Sequence, residues 1–222
     1  MSFNHIYDMA VARKGGEAAL QALLPDVAAP GVLSETSDDR YLSALTRCVF
    51  NAGFVWRVIE NKWPGFEAAF EGFVPLYWQQ VPPEVLERLA SDERIVRNMQ
   101  KIRTVPDNAR MVVDAAREHG SFGAFLEQWT SADQIGLLQW LKRNGARLGG
   151  NTAQYFLRQV GWDGFVLSRD VIAGLRREGL LDASPSSKKG LEQTQKAFND
   201  WHRQSGMPYS HLSRILAYSV GD

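Results

Sequence analysis

Cysteine is almost absent from this chain: Cys48 is the only one among its 222 residues. A single cysteine cannot form an internal disulfide. A structural zinc ion needs four grouped ligands, and one cysteine with four scattered histidines argues against such a site. We therefore expect a protein of a reducing, intracellular compartment that carries no metal and no other cofactor.

Long apolar runs are missing as well. The first residues, MSFNHIYDMAVARKGG, lack the apolar region of a signal peptide. No stretch approaches the roughly 20 apolar residues that span a bilayer. We therefore expect a cytoplasmic protein that has no membrane partner. We also expect it to act as a monomer.

Neither sign of charge is in excess, because 25 basic residues balance 25 acidic ones. The chain as a whole is therefore not attracted to nucleic acid, and any DNA binding must come from local patches. Basic side chains cluster in two segments, Arg94–Arg103 and Lys142–Arg147. Each cluster is either such a patch or the solvated face of a helix.

Helical periodicity is what the chain has in abundance. From a cap at Ser37 or Asp38, apolar residues recur at spacings of three and four, and we predict that this helix ends at WPG, residues 63–65. The helical run after residue 93 should kink or restart at Pro106. No segment favours a strand. We therefore predict an all-α fold of about ten helices in a single domain over residues 1–222.

Residues 135–160 predict two helices joined by the short link ARLGG. The first N–H groups of the second helix lack intrahelical partners and lie at the positive end of its dipole. Two glycines just before them would let a DNA phosphate approach closely. The alternative is an ordinary turn in which the glycines only cap and pack. The predicted DNA-binding residues are Arg143, Arg147, Gly149, Gly150, Asn151 and Thr152.

Three motifs in this chain resemble DNA glycosylases. LGGNTA, residues 148–153, is similar to the L-x-G-x-G-x-T-A hairpin of the helix-hairpin-helix DNA glycosylases. LTRCVFNAGFVWRVIENKWPGFEAAFEGFVP resembles the 3-methyladenine DNA glycosylase I family, whose corresponding helix carries A-G-L-S-W. LERLASDERIVRNMQKIRTVPDNARMVVD resembles that family's I-x-R-x-x-x-K-I-x-x-x-x-x-N-A block. The likeness covers roughly residues 35–180 in the same order.

The resemblance implies a multi-helix DNA glycosylase fold and a role in base-excision repair. Such an enzyme binds double-stranded DNA, flips out a damaged nucleotide and hydrolyses its N-glycosidic bond. An alkylated purine such as 3-methyladenine is cationic in DNA, so it leaves readily and is attracted to an aromatic face. Trp56 matches the family's pocket tryptophan, and Tyr155 matches a tyrosine on the helix after the hairpin. Both are alternatively core aromatics.

Several positions depart from the family pattern. Cys48 stands where the family has its pocket glutamate; it is alternatively a small buried apolar residue, and Asn51 is then the candidate to read a base edge. Asn151 replaces the lysine nucleophile of lyase-competent relatives, which predicts an enzyme without a lyase step. Ser168 replaces the aspartate that stabilises the sugar cation. Asp170 is the candidate to take over, or else a helix cap. The ligands of the family's N-terminal zinc clamp have no counterpart.

Three functions stay open at this point. The first is a monofunctional glycosylase that uses water as the nucleophile and a carboxylate, from Asp170, Asp38 or Asp39, for electrostatic stabilisation. The second is a catalytically inactive helix-hairpin-helix DNA-binding protein, which the substituted positions favour. The third is a helical protein without a DNA role, which the zero net charge favours. The predicted base pocket is Trp56, Cys48, Asn51 and Tyr155.

Overall fold

A computed structural model describes residues 3–220 and shows only helices, turns and loops in that range, with no β-strand. The all-α prediction is confirmed. The described part of the chain has fifteen α-helices rather than about ten, since several are only one or two turns long. They are α1 (Asn4–Lys14), α2 (Glu17–Gln21), α3 (Val32–Glu35), α4 (Asp38–Asn51), α5 (Trp56–Ala69), α6 (Pro75–Trp78), α7 (Pro83–Leu89), α8 (Met99–Ile102), α9 (Thr104–His119), α10 (Phe122–Glu127), α11 (Gln134–Asn144), α12 (Asn151–Gln159), α13 (Arg169–Arg177), α14 (Lys188–Ser205) and α15 (Tyr209–Ser219).

The helices pack into two compact units. Unit 1 combines the chain up to Ala28, Trp129–Leu138 and the chain from Leu157 on, and unit 2 combines Ala29–Gln128 and Gln139–Phe156. Each unit has its own apolar core. The single domain over residues 1–222 stays a prediction.

Helix α9 lies at the centre of unit 2, where α4, α6 and α10 pack against it. Pro106 lies in the first turn of α9, where its missing N–H leaves no hydrogen bond unmade. Gly120 ends the helix in a positive-φ conformation (φ 92°), and Ser121 caps α10 by accepting a hydrogen bond from the Ala124 N–H. The predicted restart at Pro106 is confirmed.

The predicted helix end at residues 63–65 is wrong. Helix α5 runs through Pro64 and Gly65, while the actual break lies earlier, at residues 52–55 between α4 and α5. Packing outweighs the lost proline hydrogen bond, because Trp63 and Phe66 stack in the core (ring centroids 4.9 Å apart). Gly65 is required there, since a Cβ at this position would lie 2.4 Å from the carbonyl oxygen of Arg94. The break puts Trp56 at the first position of α5.

In unit 1, α1 and α13 pack against α15. Its core includes the stacked rings of Phe165 and Phe198, with centroids 4.6 Å apart. No helix within residues 3–220 has both the length and the apolar character that a membrane crossing requires.

Candidate functional site

The two aromatic residues predicted for the base pocket contact each other in unit 2. The rings of Trp56 and Tyr155 meet edge to face, with centroids 5.1 Å apart and planes at 87°. Trp56 is 49% exposed, which excludes the core alternative for this side chain, and Tyr155 is half-buried. Their role in a base pocket stays a prediction.

Trp56 directly follows a turn that exposes apolar side chains. We call this turn, Ala52–Val55, the pocket loop. Phe54 is 39% exposed and Val55 is 67% exposed. Together with Trp56 they form three consecutive large apolar residues that meet solvent. Exposed apolar clusters of this kind mark binding surfaces more often than isolated exposed side chains do.

The pocket loop begins at the end of α4, whose last turns carry Cys48 and Asn51. Burial raises the pKa of the Cys48 thiol to about 12, so the side chain is uncharged and has the character of a core residue. Asn51 is only 7% exposed, and its Oδ1 is buried without a hydrogen-bond partner. Such an oxygen costs about 1–3 kcal/mol unless a ligand satisfies it. Asn51 is therefore the side chain in this region that is ready to accept a hydrogen bond.

The hairpin between α11 and α12 contains two residues in the left-handed region. Gly150 has φ 58° and Arg147 has φ 59°. A Cβ at Gly150 would meet no atom within 4 Å, so glycine serves the backbone conformation there and leaves the space in front open. An arginine with positive φ is uncommon, and such residues cluster at functional sites.

Four of the predicted DNA-binding residues are exposed, and the remaining two, one before α12 and one in its first turn, are half-buried. Arg147 reaches back to α8, where its Nη2 donates to the Gln100 side-chain oxygen at 2.7 Å. The Thr152 N–H donates to the carbonyl of Gly149 at 3.3 Å. The exposed four are Arg143, Arg147, Gly150 and Asn151, and the half-buried two are Gly149 and Thr152.

Asn108 braces the hairpin, a role that the sequence analysis missed. Its fully buried side chain accepts a hydrogen bond from the Ala146 N–H at 2.8 Å and donates to the Ala146 carbonyl at 3.3 Å. The signal was present: Asn108 is a polar residue on the apolar stripe of α9, next to Val105 and Ala109. A buried amide of this kind needs partners of its own, and here it finds them in the hairpin backbone.

Lys101 belongs to the basic cluster Arg94–Arg103, which the sequence predicts to be a surface, and the structure contradicts that prediction for this residue. The residue is only 4% exposed, and its Nζ donates to the carbonyl oxygens of Phe50 (2.9 Å) and Ala52 (2.5 Å). The same ammonium lies 4.3 Å from the ring centroid of Phe54. Burial, with a smaller contribution from the charge of Arg147, lowers the pKa of Lys101 to about 8. The helical pattern alone could not show that this lysine points inward.

The candidate catalytic carboxylate, Asp170, lies in unit 1 in the first turn of α13. Its side chain is 44% exposed and lies 3.3 Å from the Nε of Arg169. Ser168, rather than Asp170, caps α13, because its Oγ accepts a hydrogen bond from the Val171 N–H at 3.2 Å. The alternative that Asp170 is the cap is therefore wrong, and its catalytic role stays a prediction.

The other two carboxylates considered are occupied within unit 2. Asp38, in α4, accepts a hydrogen bond from the Phe122 N–H of α10 at 2.9 Å. Burial raises the pKa of this carboxyl. Asp39 pairs with Arg40 at 2.7 Å. Both carboxylates therefore have protein partners, and a catalytic role for either stays a prediction.

Residues 3–220 contain no group of three or more histidine, cysteine, aspartate or glutamate side chains placed to hold a metal ion. The histidines near the ends of the chain bind separate partners: His5 contacts Glu178, and His211 contacts the carbonyl of Pro25. The residues present therefore do not fit a zinc clamp.

A model of the methyladenine glycosylase family matches residues 31–143, which is just over half of the chain. The matched segment includes the pocket loop, α8 and α9, and ends one residue before the end of α11.

Solved structures of DNA glycosylases share the fold. A 3-methyladenine DNA glycosylase I is 23% identical, with a TM-score of 0.51 over 65% of this chain and 87% of its own. The enzyme of the same name from Staphylococcus aureus is 20% identical, with a TM-score of 0.52 over 65% and 84%. An 8-oxoguanine glycosylase/lyase from Methanocaldococcus jannaschii, solved with DNA containing 8-oxoguanine, is 16% identical, with a TM-score of 0.50 over 98% and 90%. At these identities the likeness shows the fold, and the predicted multi-helix DNA glycosylase fold is confirmed.

Proposed function

This chain belongs to the methyladenine glycosylase family, and we propose that it hydrolyses the N-glycosidic bond of alkylated purines such as 3-methyladenine in double-stranded DNA. The family places it among DNA glycosylases, which are hydrolases. The substrate, the flipped base, the monomeric state and the absence of a lyase step are part of the proposal.

The observation that carries the proposal is a half-exposed aromatic pair beside a buried, unsatisfied acceptor. Trp56 and Tyr155 meet edge to face at one end of the pocket loop, and Asn51 precedes the other end with its Oδ1 unpartnered. A flipped purine offers a flat face for stacking and an exocyclic amino group that donates a hydrogen bond. Stacking of a base on an aromatic ring contributes about 1–3 kcal/mol, which offsets part of the cost of flipping.

The charge of an alkylated purine would be met by aromatic faces rather than by a carboxylate. Cys48 takes the position of the family's pocket glutamate, and its thiol is neutral because burial raises its pKa to about 12. Cation–π attraction to Trp56 and a hydrogen bond to Asn51 are then the favourable terms.

The hairpin is the proposed DNA anchor. The positive end of the α12 dipole lies at the hairpin, and Gly150 keeps the space in front of this helix open. Exposed Arg143, in the last turn of α11, and exposed Arg147, within the link between the two helices, add positive charge. Such contacts bind phosphates of any sequence and position the protein on the duplex, which suits an enzyme that searches for damage.

In the proposed reaction, water attacks the sugar as the bond to the base breaks. Asn151, which stands in place of the lyase lysine, carries no amine to form a Schiff base. Asp170 is the proposed carboxylate that stabilises positive charge on the sugar, since its side chain is exposed and not engaged in capping.

A single-turnover assay with methylated duplex DNA tests the proposal by measuring released 3-methyladenine and 7-methylguanine. We expect release by the wild-type protein, and loss of about 10-fold or more in the Asn51→Ala and Asp170→Asn variants, since a hydrogen bond or contact to a charged group contributes about 1.5–3 kcal/mol. Asn61→Ala and Asp8→Asn are the matched controls, because each removes the same group at an exposed position in the same unit.

The assay separates the alternatives. Intact duplex binding without release would identify an inactive DNA-binding protein, and failure to bind duplex DNA would exclude both DNA roles. Borohydride trapping of a covalent protein–DNA complex would contradict the proposed absence of a lyase step. If the Asp170→Asn variant releases base at the wild-type rate, the catalytic role of Asp170 is excluded and the rest of the proposal stands.

A further inference from the structure

We infer that Lys101 is a positioning residue, which holds the pocket loop in the conformation that receives a flipped base. The inference rests on the proposed function and goes beyond it, because Lys101 is not expected to touch the base itself.

Lys101 binds the backbone at the end of α4. The carbonyls in the last turn of a helix lack intrahelical donors. Lys101 Nζ donates to one of them, the Phe50 carbonyl at 2.9 Å, and to the carbonyl of Ala52 in the pocket loop at 2.5 Å. These two residues flank Asn51, so the lysine holds the backbone before and after the residue whose Oδ1 is unpartnered. A cation at a helix C-terminus is also favoured by the helix dipole.

Lys101 also contacts an aromatic ring of the pocket loop. The ammonium of Lys101 lies 4.3 Å from the ring centroid of Phe54, which is otherwise 39% exposed. Cation–π attraction therefore holds the exposed ring in one place. The contacts with Ala52 and Phe54 together leave the loop little freedom before the chain enters α5 at Trp56.

The backbone of Lys101 is itself held by hydrogen bonds. The Lys101 N–H donates to the Asn98 side chain at 3.2 Å, which caps α8, and its carbonyl accepts from the Thr104 hydroxyl at 2.7 Å. The backbone of Lys101 is thus tied on both sides. A side chain can fix a loop only if its own backbone is held, and this condition is met.

Helix α8, which carries Lys101, also contacts the hairpin. Gln100, the neighbour of Lys101 on α8, accepts a hydrogen bond from Arg147 at 2.7 Å. Consecutive residues of one short helix therefore hold the two parts of unit 2 that the proposed function uses, the pocket loop and the DNA anchor. The Lys101 contacts belong to the loop, so its loss should affect base release more than duplex binding.

This arrangement has a pH signature. Arg147, from the hairpin, is the charged group that acts on Lys101, and together with burial it lowers the pKa of the lysine to about 8. Above that pH the amine is neutral. Its hydrogen bonds to the two carbonyls weaken and the attraction to the Phe54 ring is lost. Base release should therefore fall as the pH rises through about 8, while the protein stays folded.

The experiment compares Lys101→Met, Lys101→Arg and the control Lys188→Met, which removes the same charge at an 89% exposed position. Three quantities are measured: the single-turnover rate of 3-methyladenine release, the affinity for duplex DNA, and hydrogen exchange of residues 50–57 without DNA. We expect Lys101→Met to lower the release rate at least about 10-fold, to change duplex affinity less than about 2-fold, and to speed loop exchange. Lys188→Met should match the wild type in all three.

Lys101→Arg covers the case in which Lys101→Met does not fold. Its guanidinium keeps its proton at all relevant pH values, so the loop should exchange slowly and the decline in release above about pH 8 should disappear. An unchanged decline in Lys101→Arg, or a parallel loss of rate and duplex affinity in Lys101→Met, would overturn the inference. If the wild type releases no base, the proposed function fails, and unchanged loop exchange in Lys101→Met would refute the loop contact separately.

Discussion

Unit 2 uses aromatic residues in two opposite ways. In its core, aromatic rings from α5, the following turn and α6 stack on one another, and none of them is more than 5% exposed. Ring centroids are 4.9 Å apart for Trp63 and Phe66 and again for Phe70 and Phe73. The indole N–H of Trp78 donates to the Phe70 carbonyl at 2.8 Å. We call Trp63, Phe66, Phe70, Phe73 and Trp78 the aromatic ladder.

The aromatic residues at and beside the pocket loop are arranged differently. Trp56 is 49% exposed, Phe54 is 39% exposed, and the nearby Asn51 Oδ1 is buried without a partner. The ladder satisfies its polar atoms and excludes water, so it stabilises the fold. At the loop, apolar surface is exposed to water and the nearby Asn51 Oδ1 has no partner. Both features cost stability, and both are expected where a ligand completes the contacts. Aromatic content alone therefore does not distinguish the core from the candidate site.

The largest expected effect is on the ladder. Replacing Phe70 with alanine removes a fully buried ring that contacts Phe66, Phe73 and Trp78. We expect the free energy of unfolding to fall by about 3–5 kcal/mol, from lost transfer energy and the cavity left behind. Denaturant unfolding measures it. A loss below about 1 kcal/mol would mean that the ladder is not the stabilising region.

The reverse is expected at the loop. Trp56→Ala should change the free energy of unfolding by less than about 1 kcal/mol, because the ring is half-exposed. Base release should fall about 10- to 100-fold, which corresponds to the loss of one base–aromatic stack. Tyr77→Ala, at a 44% exposed aromatic residue of α6, is the control and should release base normally. Equal effects of the two variants would abolish the distinction between loop and ordinary surface.

The smallest effect sharpens the boundary between the two regions at Cys48. Burial raises its pKa from 9.0 to about 12, so this group stabilises the folded state fully below about pH 9 and progressively less as the pH rises towards 12. At about pH 10 the loss should be roughly 1.4 kcal/mol. Unfolding of the wild type and of Cys48→Ala at about pH 7 and about pH 10 measures it. A constant difference between the two proteins would mean that the thiol is not buried as a core group.

Local sequence signals predicted much of the fold. The restart of the chain at the proline near the beginning of α9 and the hairpin before α12 both follow from rules that act over a few residues. The prediction failed at residues 63–65, where the ladder and the close approach of Gly65 to Arg94 keep α5 continuous through a proline. That outcome depends on partners distant in the sequence, which a local pattern does not contain.

For the candidate site, the order of amino acids alone establishes which residue types are available: an aromatic at residue 56, an amide at 51, a thiol in place of a carboxylate at 48, and glycines before α12. Folding is what brings Trp56 against Tyr155, leaves the Asn51 Oδ1 without a partner and turns Lys101 inward. The physical reason is that side-chain identity and helical periodicity are local properties. Contact, burial and the pKa shifts that follow from burial arise when segments far apart in the chain pack together.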